Sequence, residues 1–446
     1  MNGGLSMVEM KSGYKMTEVG VIPEDWEVKN VSESCLIKAR IGWQGLKKSE
    51  YMSSGDYLLI TGTDFDNGQV NWKSCAYVSK ARYEQDSNIK IRPQDILISK
   101  DGTIGKVAYL GMIPKAGTLN SGIFVIRAND RKIDQVFLSK IFMSFYFEEF
   151  LNRLVAGSTI NHLYQKDFVK FCFPLPNSEE QTAIAAALSD VDSLISALTK
   201  KIEKKKAIKQ GLMQQLLTGK KRLPGYKGLA LVKNEKMEYP GDWDVVKLGD
   251  LCRIITKQTG FDYSATIKPS LRTSRGLGVL PFIQNKDFEG YKINFNTDFY
   301  IPKDVAMHFP QILLDEPSLL VSISGRIGNV GYYLSSKLAF IGGAICVAKF
   351  WKKEYIPWVM LYLQSSKGQN EIFMNEKAGA QHNITVEAIR NFRIPMPSIS
   401  EQTAIANILS DCDSEIAALE EKRDKYKEIK QGMMQQLLTG KIRLIK

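Results

Sequence analysis

Two stretches of the chain place apolar residues in alternating steps of four and three. Ile184, Leu188, Val191, Ile195, Leu198 and Ile202 form the first stripe; Ile405, Leu409, Cys412, Ile416 and Leu419 form the second. This spacing predicts a long helix with one narrow apolar seam, of the kind that packs against another helix as a coiled coil. Prolines stand just upstream of each stripe (Pro174 and Pro176; Pro395 and Pro397). Ser178 with Gln181, and Ser398 with Glu401, offer capping boxes one residue out of frame with each other. Gly219 and Gly440 stand where a terminating glycine belongs. A helix of roughly 40 residues is about 60 Å long. Two of them are expected to pack antiparallel as a rigid spacer; the alternative is that each lies on its own globular neighbour.

The two stretches are copies. Glu180–Leu223 lies on Glu401–Leu444 without a gap, with about 31 identities in 44 positions, which marks an internal repeat. Upstream the repeat persists in eroded form. Pro23-Glu-Asp-Trp26 answers Pro240-Gly-Asp-Trp243, and Asp64-Phe65 answers Asp287-Phe288. Ser99-Lys-Asp-Gly-Thr-Ile-Gly-Lys-Val107 answers Ser322-Ile-Ser-Gly-Arg-Ile-Gly-Asn-Val330, and Ala156–Asn161 answers Ala378–Asn383. The runs DILIS, GIFVIRA, LLVSIS and AICVAKF read as buried strands, and residues 135–154 as helix. The predicted fold class is therefore α+β: two similar globular domains separated by two long antiparallel helices forming a coiled-coil spacer. The expected division is 1–177 for the first domain (with 1–12 disordered), 178–222 for the first helix, 223–237 for a linker, 238–398 for the second domain and 399–446 for the second helix.

The helices are nearly identical while the globular stretches have drifted. Surfaces that meet one object twice should stay alike; surfaces that meet two different objects should differ at the contacts and agree in the scaffold. The reading is that the helices bind two copies of one partner and the domains read two unlike ligands. A recent partial duplication is the bland alternative.

Charge narrows the ligand. The chain has 446 residues and a net charge of +12, with a pI near 9.1, which points to a polyanion. The opening MNGGLSMVEMKSGYKM has no apolar core of signal-peptide length, and LAFIGGAICVA at 338–348 is too short to span a bilayer. A cytoplasmic protein without a membrane partner is expected. Six scattered cysteines with no CxxC pair fit buried thiols better than disulfides or zinc. There is no GxGxxG or GxxxxGK[ST] loop and no NPP[FYW]-like tetrapeptide. Pro23-Glu-Asp25-Trp-Glu27-Val-Lys29 has a superficial likeness to a nuclease carboxylate–lysine cluster, but its copy reads Asp244-Val-Val-Lys247. A tryptophan packed at the start of each domain is the better reading. Catalytic and metal-binding residues are accordingly assigned to none, and a recognition protein is favoured over an enzyme.

If the ligands are DNA, phosphate contacts need Lys, Arg and backbone N–H groups, and base contacts need Arg, Lys, Asn and Gln on exposed loops. The first domain offers Arg40, Gln44, Lys47, Lys48, Thr61, Thr63, Lys100, Thr103, Lys106, Ser158, Thr159, Asn161 and His162. The second offers Lys257, Gln258, Arg272, Arg275, Gln284, Asn285, Lys286, Ser324, Arg326, Asn329, Gln381, His382 and Asn383. The framing glycines (Gly102, Gly105, Gly157; Gly325, Gly328, Gly379) recur while these residues change. For any single residue an ordinary solvated loop side chain remains the alternative. The lysine run Lys200, Lys201, Lys204, Lys205, Lys206 and Lys209 reads as a solvated helix face, or else as a surface for phosphates or acids.

These features resemble the DNA specificity subunit of type I restriction–modification systems. The matching elements are TEVGVIPEDWEV near the start, PLPNSEEQTAIAAALSDVD and PMPSISEQTAIANILSDCD opening the helices, and QQLLTGK closing them. The resemblance implies a non-catalytic subunit whose two target-recognition domains each read half of an asymmetric bipartite site on double-stranded DNA. It implies two modification (methyltransferase) subunits docked along the helices and restriction/translocase subunits beyond them. S-adenosylmethionine, ATP and magnesium would belong to those partners, and none to this chain. The weaker readings are a stand-alone DNA-binding nuclease or methyltransferase and a coiled-coil scaffold for acidic proteins.

Overall fold

The computed structural model describes residues 12–155, 162–226, 228–233, 238–374 and 383–445. The segment expected to be disordered therefore lies almost wholly outside the described residues. The chain forms two compact units, one joining residues 1–199 to 421–446 and the other made of residues 200–420. Both divisions fall inside the long helices, Ser178–Leu216 and Ile399–Leu437, so each unit owns part of both.

The first unit is built on a four-stranded antiparallel sheet in the order Val107–Tyr109, Ile96–Ser99, Ile123–Ala128, Cys35–Ala39. The central strands are mostly apolar and largely buried, as expected for strands covered on both faces. A smaller sheet places Tyr57–Ile60 parallel to Gly117–Leu119 and antiparallel to Ala76–Val78. Cys172–Leu175 pairs with Glu27–Asn30 beside the start of the long helix. Residues 135–154 form two helices, Gln135–Phe142 and Phe145–Val155. The break falls at Ser144, whose hydroxyl donates to Ile141 O and accepts from Tyr146 N.

The second unit repeats this plan. Its sheet runs Val330–Tyr333, Ser318–Ser322, Ile345–Phe350, Cys252–Lys257. Val279–Ile283 lies parallel to Ala339–Ile341, and Asp244–Lys247 pairs with Arg393–Met396. An added strand, Leu313–Leu314, pairs with Ala339–Ile341. Within the expected linker, Leu231–Lys233 forms a hairpin with Glu238–Pro240.

Inside each unit the two long helices run antiparallel. In the first, Asp192 pairs with Lys430 at 2.7 Å and Glu180, near the helix start, meets Arg443, beyond the other helix's end. In the second, Lys205 pairs with Glu415 at 2.7 Å and Lys209 with Asp413 at 2.5 Å. Lys206 pairs with Glu420, so three of the six lysines in the run are matched by acids of the second helix. The alternative of packing on the globular neighbour also holds for part of each seam. Ile184 and Leu188 join one core with Trp26, Phe173, Leu437 and Leu438. Ile405 and Leu409 join another with Trp243, Leu216 and Leu217.

The helix ends are fastened alike. Gly219 and Gly440 have φ of +67° and +68°, where a β-carbon would be strained. A Cβ on Gly219 would lie 2.2 Å from Pro240, and one on Gly440 2.3 Å from Pro23. Arg443 donates to both oxygens of the fully buried Glu180, to Asp25, and stacks over Trp26. Arg222 does the same with Glu401, Asp242 and Trp243. The N-termini correct one expectation. The cap of the first helix is Asn177, whose Oδ1 accepts from Glu180 N at 2.9 Å, and not Ser178. Ser398 Oγ accepts from Glu401 N at 3.3 Å, so the two caps fall in the same frame.

All six cysteines are free thiols; Cys35, Cys75, Cys252 and Cys346 are buried. Burial pushes Cys35 and Cys346 up to about 12, which leaves them unreactive. Among the described residues one helix, Ser178–Leu216, has the length and composition to cross a membrane. Its seam, however, supplies core residues and Asp192 on its flank is ion-paired.

Candidate nucleic-acid interface

In each unit two short loops converge on one hairpin turn. The first turn follows the strand ending at Ser99, the second the strand ending at Ser322. Ser99 Oγ donates to Thr103 O and accepts from Lys106 N; Ser322 Oγ donates to Arg326 O and accepts from Asn329 N. Gly102 and Gly325 have φ of +70° and +71°, Gly105 and Gly328 of +81° and +85°. A Cβ on Gly105 would lie 2.2 Å from Leu151, and one on Gly328 2.9 Å from Gln369. Identical serine bonds and glycine torsions thus carry different side chains: Lys100, Thr103 and Lys106 in one turn, Ser324, Arg326 and Asn329 in the other. Thr103, Lys106 and Arg326 are exposed, while Lys100, Ser324 and Asn329 are half-buried. Burial holds the Lys100 ammonium below its ordinary range, against the opposing field of Asp101.

The first of the two loops in each unit is a single turn closed by a buried acid. Asp64 accepts from Thr61 N at 2.8 Å; Asp287 accepts from Gln284 N at 2.7 Å. Burial pushes the Asp287 carboxyl up, with the Gln284 N–H pulling the other way. Thr61 and Thr63 bond to each other at 2.7 Å, with Thr63 exposed. In the second unit Asn285 donates to Ser324 O and Arg326 O and accepts from Asn329 Nδ2. Asn285 and Asn329 therefore bind the two loops together. At the equivalent place in the first unit, Gly62 lies directly against Ser99. Gln284 is half-buried; Lys286 is exposed and pairs with Asp298.

The other loop joins by a single bridge: Leu163 N donates to Lys100 O at 2.8 Å, and Ile384 N to Ile323 O at 2.9 Å. Asp101 then faces His162, and Ser324 faces Asn383. The internal match is thus His162 with Asn383, one residue away from the pairing of Asn161 with Asn383 read from the sequence. His162 Nδ1 shares a hydrogen bond with Asp101 Oδ1. Ser158, Thr159, Asn161, Gln381 and His382 lie outside the described residues.

Three candidates belong to the interior instead of exposed loops. Arg40 is 2% exposed; it donates to Leu119 O, Thr118 Oγ1 and Gln85 Oε1. Burial holds its guanidinium below its usual range, and Arg82 adds to this. Gln258, 4% exposed, donates to Ile341 O. Leu119 and Ile341 end equivalent strands, so Arg40 and Gln258 are the same internal strut in two chemistries. Gln44 is also buried. Lys47, Lys48, Lys257, Arg272 and Arg275 are exposed.

Tyr164 is absent from the candidates that the sequence suggested. It is 56% exposed, with its ring 4.6 Å from that of His162 and Lys166 Nζ 5.5 Å above it. An aromatic beside lysine and histidine is a surface on which a base or sugar can stack. The Tyr-x-Lys spacing was the available signal. Among the described residues no group of three His, Cys, Asp or Glu is placed to hold a metal.

Known proteins resemble this chain over most of its length. The sequence profile of the family described as "Type I restriction modification DNA specificity domain" matches twice, at residues 23–210 and 240–431. The type I restriction enzyme MjaVIII specificity subunit of Methanocaldococcus jannaschii is 27% identical over 435 residues, covering 95% of this chain and 94% of its own. Among solved structures, the type I restriction–modification S subunit from M. genitalium superposes with a TM-score of 0.54 at 15% identity, covering 92% of this chain and 96% of that one. A chain from a study of complex assembly in the type I R-M system gives 0.57 at 17% identity, covering 94% and 99%. With two copies of the family domain spanning most of its length, the chain belongs to the type I restriction–modification DNA specificity subunits and carries two recognition domains.

Proposed function

We propose that each recognition domain reads one half of an asymmetric bipartite DNA site through its hairpin turn and the two loops gathered on it. The observation that supports this is the pair of matched turns: the same serine bonds and glycine torsions hold Lys100, Thr103 and Lys106 in one domain and Ser324, Arg326 and Asn329 in the other. Such a frame fixes where a side chain meets the groove and leaves the hydrogen-bond code free to vary. Replacing residues 13–177 with the corresponding segment of a relative should change one half of the methylated sequence and leave the other half alone. An unchanged methylated sequence would refute the assignment.

The helices, on this reading, dock two modification subunits at equivalent places. Support comes from exposed helix positions that no core requires and that are nonetheless identical: Thr182 and Thr403, Ile208 and Ile429, Gln214 and Gln435. Arginine at Ile208 alone, or at Ile429 alone, should leave one modification subunit bound by native mass spectrometry, and both changes together should leave none. The chain itself performs no chemistry in this scheme. S-adenosylmethionine, ATP and magnesium serve the modification and restriction/translocase subunits, and the assembly works on cytoplasmic DNA.

A further inference from the structure

In the second unit, residues 271–278 form a loop pinned at both ends. Arg272 and Tyr300 exchange backbone hydrogen bonds at 2.8 Å, and Gly278 O accepts from Lys303 N at 2.8 Å. Between these anchors the tip is Thr273-Ser-Arg-Gly-Leu277. Leu277 is 103% exposed. It stands between Gly276 and Gly278, neither of which has any atom within 4 Å of where a Cβ would be, and Gly278 has φ of +74°. Arg272 and Arg275 are exposed, and among the described residues neither guanidinium has a hydrogen-bond or ion-pair partner. From Tyr263 to Lys286 the sequence holds Lys268, Arg272, Arg275 and Lys286 and no acid.

The first unit supplies an internal control. Met52 and Tyr77 exchange the same pair of backbone bonds, at 2.9 Å. The tip that follows is Ser53-Ser-Gly55-Asp56, two residues shorter before its strand begins. It lies down on the domain, since a Cβ on Gly55 would sit 3.1 Å from Tyr77. It carries an acid and no arginine, and no apolar residue follows the pinned Met52 before the strand. The exposed leucine and its two unpaired arginines are therefore additions of the second unit and not requirements of the fold.

An isolated surface leucine is unremarkable by itself. Here it lies on the tip of an anchored loop, next to the Gly278 anchor and between glycines that let the backbone approach closely, with two unpaired arginines on the same loop. Minor-groove proteins combine these parts: arginines that follow the narrow groove and an apolar residue that enters a base step and unstacks it. We propose that Leu277 is such a wedge, entering the minor groove of the half-site bound by the second recognition domain, with Arg272 and Arg275 holding the groove on either side. The proposal rests on DNA reading by that domain and specifies its mode. A protein partner that accepts a lone leucine has no need of a segment free of acids, whereas a polyanion does.

The test uses the full chain and duplexes that it selects from a random library, with 2-aminopurine placed at successive steps of the second half-site. Fluorescence should rise at one step when the chain binds. Leu277→Ala should remove that rise and weaken binding at least fivefold; Leu277→Met, another wedge residue, should keep both; and Met52→Ala should change neither. Being fully exposed, Leu277 can be replaced without disturbing the fold. Selection of a specific site with no unstacked step, or an L277A chain indistinguishable from the parent, would overturn the wedge while leaving DNA reading intact. Loss of a protein partner as the sole effect of L277A would assign the residue to that partner. Failure to select any sequence would overturn DNA reading itself, and the wedge with it.

Discussion

The two arginine clasps make a quantitative prediction because their buried glutamates differ in one side-chain hydrogen bond. Glu180 and Glu401 are 0% and 1% exposed. Each receives a two-pronged arginine, from Arg443 and Arg222. Glu180 has a further donor, Trp26 Nε1 at 2.9 Å, whereas Trp243 Nε1 is buried without a partner. Removing one member of a buried ion pair costs about 3–5 kcal/mol, because a charge is left without compensation. Arg443 is 31% exposed and Arg222 15%. Arg443→Ala should fall near the lower figure, with solvent and Trp26 relieving Glu180. Arg222→Ala should fall near the upper, since among the described residues Glu401 keeps no other side-chain donor. At about 2–4 °C per kcal/mol for units of this size, the losses are roughly 6–12 °C and roughly 10–20 °C. Native-state hydrogen exchange assigns each loss to its unit, through Leu97 and Ile98 in the first sheet and Leu320 and Val321 in the second. R443A should lower protection in the first unit and R222A in the second, and Glu180→Met with Arg443→Met together should recover most of the loss. Equal effects of both single changes on both units, or losses under about 1 kcal/mol, would show that the clasps do not hold the units in this way.

Acid should weaken the chain through depressed carboxyls. Burial pushes Asp192 up, but Lys140 and Lys430 outweigh it and leave it below the ordinary range; Arg443 and Arg222 hold Asp25 and Asp242 low. A depressed carboxyl adds stability that is complete above its unfolded pKa and lost as pH falls through the folded one. Urea midpoints should therefore be insensitive to these groups near neutrality and fall below about pH 4, with Asp192→Asn flattening part of that fall. Gly102→Ala, in open space at φ +70°, should cost about 1–2 kcal/mol in urea unfolding. Gly105→Ala should cost more, because its Cβ would press on Leu151. Replacing Lys47 and Lys48 by Ala should leave sequence preference unchanged and lower the salt dependence of DNA binding. The slope of log K against log salt should become shallower by about 0.9 for each phosphate no longer neutralised.

The repeat, the seams, the terminating glycines and the four central strands were all legible in the sequence, because each rests on local spacing. Burial was not. Arg40 and Gln258 look like groove-facing residues until the strand ends at Leu119 and Ile341 are seen to need a donor from inside. The cap at Asn177 was hidden because Ser178 is an equally good capping type one position on. The offset of His162 from Asn161 was invisible because the bridge that sets it, from Leu163 to Lys100, joins residues far apart in sequence. The clasps were invisible for the same reason: Arg443 meets Asp25 across almost the whole chain. Leu277 was passed over because apolar residues count as core until a fold leaves one outside.

If two domains on one scaffold differ only in what their loops read, either domain should work in either position. A chain carrying residues 13–177 in both recognition positions, expressed with modification subunits in a host whose methylation is then mapped, puts this to the test. Methylation should appear at a site whose two halves are copies of one sequence, the half assigned to the first domain by exchange. A site that still shows the second domain's half would contradict it.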